Sequence, residues 1–266
     1  MDLKIRDKIA LVTGGGNGIG RAICLCLAAE GAKVVVVDLN NNEAQKVTQE
    51  IKSSGGDALT IACDATNPDD VDMMVQKTVD EYGTADILVN NVGGGFGTGF
   101  VSRTFIDEWD KTIEINLKSA FLCCRAVAQV MIKNKKGRII NMSSVSGRQG
   151  EPLIGAYCAA KFGVVGLTQV LAKELARFDI TVNSVCPGYV FTPGWEKLAQ
   201  SLKDAHASLA AKSLEEIFET RVKSVTPLGR PQTSEEIATL VAYLASEEAR
   251  SITGQSISID GGIFMN

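Results

Sequence analysis

Short apolar runs alternate with longer helix-prone stretches along most of this chain. Residues 8–13 (K-I-A-L-V-T), 33–38 (K-V-V-V-V-D) and 58–63 (A-L-T-I-A-C) are brief and apolar, as expected of strands buried on both faces. Further runs at 86–89, 138–142, 180–186 and 255–259 extend the series. Between them, residues 21–30, 42–54, 67–82, 104–133, 155–178 and 234–245 have helical composition. Asn67-Pro68 supplies a cap and an early proline, and Ser234 is the expected cap of the last helix. Residues 193–225 are polar, with helical segments at 195–209 and 214–225, and read as a lid. Strand and helix alternate without repeat or linker. The pattern predicts a single α/β domain: a doubly wound parallel sheet with helices on both faces and a helical substrate lid. On such sheets ligands bind outside the carboxyl ends of the strands. Glycine, asparagine and aspartate concentrate there, at 14–20, 38, 64, 90–95 and 187–188, with Ser144 beside them.

Composition narrows the function. The 266 residues are 45% hydrophobic and 22% charged, with a net charge of −4. This balance carries no general basic footprint for nucleic acid or an anionic membrane surface. No apolar run approaches the roughly 20 residues of a membrane span. The opening M-D-L-K-I-R-D-K has no apolar secretory core, so a cytoplasmic location is expected. The cysteine count is odd, and none of the seven forms C-x-x-C, so buried free thiols are expected rather than disulfides. His206, the only histidine, lies in a polar stretch, which argues against a histidine-based metal site or serine triad. No metal is expected.

The first chemical motif follows the first strand. G-G-G-N-G-I-G (residues 14–20) places glycines where backbone must approach a pyrophosphate, ahead of a helix with free N–H groups. Asp38 ends the second strand eighteen residues after Gly20. Its carboxylate would accept from ribose hydroxyls and repel a 2′-phosphate, and neither Leu39 nor Gly15, Gly16 and Asn17 supplies a cation for that phosphate. The predicted cofactor is therefore NAD rather than NADP.

The second motif is the pair Tyr157 and Lys161, four apart and so on one helix face. Such pairs are common on solvated helices. This one sits among Gly155, Ala156, Cys158, Ala159 and Ala160, which predicts burial, and a buried lysine needs a reason. A neighbouring ammonium favours phenolate, so Tyr157 is expected to have a lowered pKa and to act as a general acid/base. Ser144 follows the fifth apolar run, so its hydroxyl is expected at a strand tip, available to a substrate oxygen.

Together these motifs resemble the short-chain dehydrogenase/reductases of about 250 residues, a Rossmann-like family, over nearly the whole chain. T-G-G-G-N-G-I-G (13–20) is similar to the family's T-G-x-x-x-G-x-G, and N-N-V-G (90–93) to its N-N-A-G, with Val92 replacing alanine beside Phe96. P-G-Y-V-F-T (187–192) is similar to P-G-x-x-x-T, and Asn116 lies forty-one residues before Tyr157, as the family's catalytic asparagine does. The resemblance implies a cofactor site of Gly14, Asn17, Gly18, Ile19, Gly20, Asp38, Leu39, Asp64, Ala65, Asn91, Val92, Gly93, Pro187, Gly188, Val190 and Thr192, joined by Tyr157 and Lys161. Asp64 would contact adenine and Thr192 the nicotinamide carboxamide. It implies a catalytic set of Asn116, Ser144, Tyr157 and Lys161, with Asn116 holding a water that relays the proton.

The substrate side is expected to involve Ser144, Ser146, Arg148, Gln149, Glu151, Tyr189 and Trp195, with Arg148 a partner for an anionic group or else an exposed loop arginine. The lid and the ending I-D-G-G-I-F-M-N look similar to acetoin, diol and polyol dehydrogenases. The expected activity interconverts a secondary alcohol and its ketone. The alternatives are a 3-ketoacyl thioester reductase or hydroxyacyl dehydrogenase, and a non-catalytic NAD sensor. Family members are commonly tetramers, which implies a homotetramer packed through 104–133 and 155–178.

Overall fold

Among the described residues, seven strands run parallel in one sheet of order β3-β2-β1-β4-β5-β6-β7. They are β1 (Ile9–Thr13), β2 (Lys33–Asp38), β3 (Ala58–Ala62), β4 (Ile87–Asn90), β5 (Gly137–Met142), β6 (Ile180–Pro187) and β7 (Ser256–Ile259). The coordinates are a computed structural model and describe residues 2–95, 98–205 and 209–265. Phe96 and His206 lie outside the described residues. The succession of strands reverses at β1, which pairs with β2 on one side and β4 on the other; Leu11 stands opposite both Val35 and Leu88. That reversal opens a crevice above the carboxyl ends of β1 and β4. The fold is the Rossmann-like α/β arrangement that the alternating pattern predicts.

Strand residues alternate between two apolar layers. Ala10, Val12, Val34 and Val36 pack with Ile23 and Leu27 of α1 (Gly18–Ala29) and Ile237 and Val241 of α9 (Ser234–Ala245). Leu11, Val35, Leu88 and Ile139 face the other way, towards Val71 and Met74 of α3 (Pro68–Tyr82) and Val127 and Met131 of α5 (Ser119–Asn134). Burial of each such side chain contributes roughly 1.5–3 kcal/mol. This double-sided burial is why the strands read as continuous apolar runs.

Helix starts follow local chemistry. Asn40 accepts from the N–H groups of Asn42 and Glu43 ahead of α2 (Asn41–Ser53), and Asn67 caps α3 with Pro68 in its first turn. At α9 the cap is Thr233, one residue before the expected Ser234. Its hydroxyl accepts from Glu236 N–H at 3.2 Å, and the Glu236 carboxylate accepts from Thr233 N–H at 2.9 Å. That reciprocal box needs the glutamate three residues after the cap, which selects Thr233.

The stretch expected as one helix over 104–133 is α4 (Ile106–Ile113) and α5 joined by a wider π turn, Glu114–Lys118. Such turns mark functional sites in many helices, and this one carries Asn116. The stretches Ile106–Asn134 and Gly155–Phe178 are also long and apolar enough, by length and composition, to cross a membrane, contrary to the reading from continuous runs. Half of the most apolar window of the first is buried within the fold. The helix α6 (Gly155–Leu175) packs against β6, and the lid consists of α7 (Pro193–Ala205) and α8 (Leu214–Val225).

Candidate active site

The glycine loop lies at the carboxyl end of β1, and its geometry demands glycine. Gly14 and Gly18 have φ of +63° and +52°, a region that side chains disfavour. A Cβ on Gly20 would lie 1.9 Å from the Gly14 carbonyl oxygen and 2.6 Å from Asn91 Nδ2. Asn17 caps α1 without any side-chain hydrogen bond, so the first N–H groups of that helix have no side-chain acceptor. Asp38 closes the loop from β2: Oδ2 accepts from Gly16 N–H and Oδ1 from Asn40 N–H, both at 2.9 Å. The cradle fits a dinucleotide, with helix N–H groups for its phosphates and a carboxylate at the ribose end. Replacing Gly20 by alanine is expected to cost about 1–3 kcal/mol through displacement of the loop, a loss of about ten- to a hundredfold in dinucleotide affinity. Calorimetric titration checks this, and an unchanged Kd would disprove the close-approach argument.

Two asparagines hold the crevice in shape. Asn91 donates through Nδ2 to the carbonyls of Thr13 and Gly14, while its own N–H donates to Thr13 Oγ1. Thr13, not singled out from the sequence beyond its place in the glycine motif, thereby ties β1 to β4. Asn116 donates through Nδ2 to the Gly94 carbonyl at 2.6 Å and the Thr112 carbonyl at 2.8 Å, and its Oδ1 accepts from Gly94 N–H. Both amide protons are committed, so a water held by Asn116 would be held by its oxygens. The same clamp presses Gly93 against Lys161: a Cβ there would lie 2.7 Å from Asn116 Oδ1 and 3.1 Å from Lys161 Nζ. Val92 was expected to add bulk beside the cofactor. Its side chain packs against the apolar layer containing Leu88 and Val127, and its Cγ2 also borders the glycine loop, 3.4 Å from where a Cβ on Gly14 would stand.

Ser144, Tyr157 and Lys161 meet above β5. Ser144 ends the extended backbone after β5 and caps a short 3-10 turn, Val145–Gly147, by accepting from Ser146 N–H at 3.1 Å. The hydroxyl proton is directed to the Tyr157 oxygen. Ser146 is buried and acts here through its main chain. Lys161 is 3% exposed. Its Nζ donates to the Met142 carbonyl at 2.9 Å and lies 5.6 Å from the centre of the Tyr157 ring. Gly147 fits beneath because a Cβ would strike Ser143 Oγ and the Lys161 carbonyl.

Electrostatics correct one expectation. Burial pushes the Tyr157 phenol above its ordinary value, outweighing a hydrogen bond from Ser144 that pulls it down; the nearby Glu151 carboxylate also pushes it up. Burial lowers Lys161 from 10.5 to about 8. The lysine is itself desolvated and sits over the ring rather than at the hydroxyl, so the protein alone does not produce the lowered tyrosine pKa that a Tyr–Lys pair suggested.

The substrate-side candidates divide. Arg148 donates through Nη1 to the Ser256 carbonyl, and its guanidinium covers the Phe264 ring at 4.7 Å. These contacts tie the loop after β5 to the start of β7 and to the segment beyond it. Gln149 is exposed and Glu151 half-buried. Glu151 accepts from Tyr189 Oη at 3.4 Å and pairs with Arg221, a residue no sequence signal pointed to because it reaches the loop only through the lid. Trp195 stacks edge-on with Tyr189 and Phe218 at 6.1 and 4.7 Å. Thr192 lies beside Gly18, and Val190 is buried. Leu39 is 74% exposed at the rim beyond Asp38. Asp64 accepts from Thr66 N–H and Oγ1, and Ala65 is buried next to it. Among the described residues no group of three or more His, Cys, Asp or Glu is placed to hold a metal ion.

Comparison with known proteins bears directly on this geometry. Residues 8–203 match the family described as short chain dehydrogenase. The chain is 39% identical over 260 residues to a 3-oxoacyl-[acyl-carrier-protein] reductase of Synechocystis sp., covering 97% of each. It is equally identical, over the same length, to the 3-oxoacyl-[acyl-carrier-protein] reductase FabG of Staphylococcus epidermidis, covering 97% of this chain and all of that one. Among solved structures it is similar to levodione reductase, with a TM-score of 0.92, 32% identity and coverage of 97% and 98% of the two chains. With its dinucleotide cradle, its Ser–Tyr–Lys cluster and these relatives, the chain belongs to the short-chain dehydrogenase/reductase family of oxidoreductases acting on CH–OH groups.

Proposed function

We propose that this protein, as one catalytic domain with its lid at 193–225, is an NAD-linked dehydrogenase interconverting a secondary alcohol of diol, polyol or hydroxy-acid type and its ketone. The observation that carries the reading is the placement of Ser144, Tyr157 and Lys161 at the carboxyl edge of β5, next to Gly93 and the glycine loop. A bound nicotinamide dinucleotide supplies the hydride acceptor or donor. Gly14 to Gly20 would receive its phosphates, Asp38 its adenosine ribose, Asp64 and Ala65 its adenine, and Lys161 its nicotinamide ribose. Thr192, with Pro187, Gly188 and Val190, would seat the nicotinamide end. Ser144 Oγ donates to the substrate oxygen and fixes its orientation. Tyr157 Oη takes the alcohol proton in oxidation and returns one in reduction. Asn116 keeps Gly93 and Gly94 in register with Lys161 and offers oxygens to a relay water.

Cofactor choice rests on Asp38. A carboxylate at this position, with no cation at Leu39 or in the glycine loop, favours a free 2′-hydroxyl. We expect kcat/KM to favour NAD over NADP by about tenfold or more, and Asp38→Ser with Leu39→Arg to reverse the order. Initial rates with both cofactors, read at 340 nm against diols, polyols and 3-ketoacyl thioesters, test reading and substrate class together. A tenfold preference for NADP would sink the assignment to NAD.

A second reading, reduction of a 3-ketoacyl thioester, is favoured by the relatives that bear that name; turnover of a thioester but no free alcohol would select it. Tight NAD binding without turnover on any substrate would select a sensor. For assembly we propose a homotetramer in the cytoplasm, without nucleic-acid or membrane partners. Phe105, Ile106, Trp109, Phe121, Phe162 and Val170 leave apolar surface exposed along α4, α5 and α6, which such packing would cover. Sedimentation velocity decides this.

A further inference from the structure

We infer that Arg221, in the lid helix α8, is a positioning residue: with Glu151 and Tyr189 it forms a polar catch that fixes the lid against the loop between Ser144 and Tyr157. The inference rests on the dehydrogenase reading for the site it serves, but it names residues and a regulation of substrate binding that the reading does not contain.

Three separate chain segments meet at this catch. Glu151 lies between Ser144 and Tyr157. Its main chain is anchored to α6, since its N–H donates to Cys158 Sγ at 3.3 Å. Its carboxylate pairs with Arg221 Nη2. Tyr189, just after β6, completes the triangle: Arg221 Nε donates to Tyr189 Oη at 3.0 Å, and Tyr189 Oη donates to Glu151 Oε1 at 3.4 Å. The guanidinium thus uses two nitrogens on two partners, a geometry that a lone point charge would not reproduce.

The catch adds a polar contact to the apolar packing of the lid, in which Ile217, Phe218 and Val222 of α8 are buried. Substantial packing of α7 and α8 is with one another. Phe218 of α8 is buried against Trp195 of α7 at 4.7 Å and Phe191 at 5.0 Å, and Tyr189 closes that aromatic group at 6.5 Å from Phe218. The aromatic cluster joins the two lid helices to the strand β6 exit. The Glu151–Arg221 pair joins them to the loop between Ser144 and Tyr157. Tyr189 belongs to both groups and couples them. Exposed ion pairs contribute little on average, yet this pair ties α8 directly to the loop between Ser144 and Tyr157, so its loss is felt as lid placement rather than as global stability.

Glu151 also lies close enough to Tyr157 to raise its proton affinity, and Arg221 offsets that charge. The other groups facing Tyr157 are Ser144 from the β5 exit, Cys158 and Lys161 on α6, and Cys186 on β6. Breaking the catch from its two ends should therefore have the same effect on substrate binding and opposite effects on the proton.

The test is steady-state kinetics of the full-length protein with whichever alcohol it oxidises, comparing Arg221→Ala, Arg221→Lys and Glu151→Gln. We expect Arg221→Ala and Glu151→Gln each to raise the alcohol KM about fivefold, with the cofactor KM unchanged and Arg221→Lys recovering part of the loss. The pH profile of kcat/KM should move to higher pH in Arg221→Ala and to lower pH in Glu151→Gln, each by about half a unit. Raising salt should increase the wild-type alcohol KM and leave that of Arg221→Ala unchanged. An unchanged KM in both variants, with or without a lower melting temperature, would overturn the inference, as would pH shifts of the same sign. The KM comparison does not depend on which residue moves the proton. A failure there with Tyr157→Phe inactive leaves the dehydrogenase reading standing, whereas an active Tyr157→Phe removes that reading and leaves the KM comparison intact.

Discussion

Replacing Tyr157 by phenylalanine is expected to lower kcat by about 10²–10⁴-fold while leaving dinucleotide binding intact. The substitution removes one oxygen and keeps the ring, which is half-buried with Lys161 Nζ above it at 5.6 Å. Packing therefore survives, and so do the glycine loop and Asp38, none of which touches the phenol. What disappears is the hydroxyl proposed to exchange a proton with the substrate oxygen. Ser144 cannot replace it, because its oxygen already accepts from Ser146 N–H and its own proton is needed to orient the substrate. The pH dependence follows from the same chemistry. Oxidation needs phenolate, and burial holds the phenol above its ordinary value, so kcat/KM for oxidation should climb from neutral into alkaline pH. Reduction needs the protonated form and should fall over that range. Titration with NAD and initial rates in both directions check each part. Retained activity in the variant would refute the assignment of Tyr157.

The second large effect is expected at Lys161, where function and stability oppose each other. Lys161→Met should abolish catalysis, because the ammonium that neighbours Tyr157 and would reach the nicotinamide ribose is gone. The variant should nonetheless be more stable at neutral pH. The lysine is 3% exposed, with one hydrogen bond to the Met142 carbonyl, and its pKa is lowered from 10.5 to about 8. A base with a lower pKa folded than unfolded binds more protons in the unfolded chain between those values. Stability of the wild type is therefore reduced fully below pH 8, and the reduction fades as pH rises towards 10.5. The cost at pH 7 is of order 3 kcal/mol. Methionine fits the same volume without a charge. Thermal unfolding of both proteins across that pH range should show a stability gain for the variant that shrinks as pH increases. A wild type that is the more stable at pH 7 would contradict this account. Such a trade-off is what a buried functional charge produces.

Much of this architecture is legible in the sequence because parallel strands are buried on both faces and leave continuous apolar runs. β2 spans Lys33–Asp38 as expected, and the other strands differ from expectation by a residue or two at their ends. The glycine loop, Asp38 and the Tyr157–Lys161 spacing were also local in sequence, fixed by turn geometry and by helical period. The π turn at Asn116 was not. Its asparagine bonds to Gly94, twenty-two residues away, a contact that only the folded chain makes. The cap of α9 moved from Ser234 to Thr233 because the reciprocal bond to Glu236 decides between two adjacent hydroxyl residues.

The site shows the same division. Chemical identity of its members came from the sequence by itself: glycines where backbone must approach a phosphate, a carboxylate at a strand end, a phenol and an amine on one helix face. The direction in which each side chain spends its hydrogen bonds was decided only by tertiary structure. Arg148 and Arg221 are equally plausible anion partners as letters, yet packing commits Arg148 to Ser256 and Phe264 and sends Arg221 to Glu151 and Tyr189. The sign of the tyrosine pKa shift was likewise beyond the sequence. Spacing reports which charges are neighbours, but desolvation depends on how much protein surrounds them, and that is a property of the folded chain.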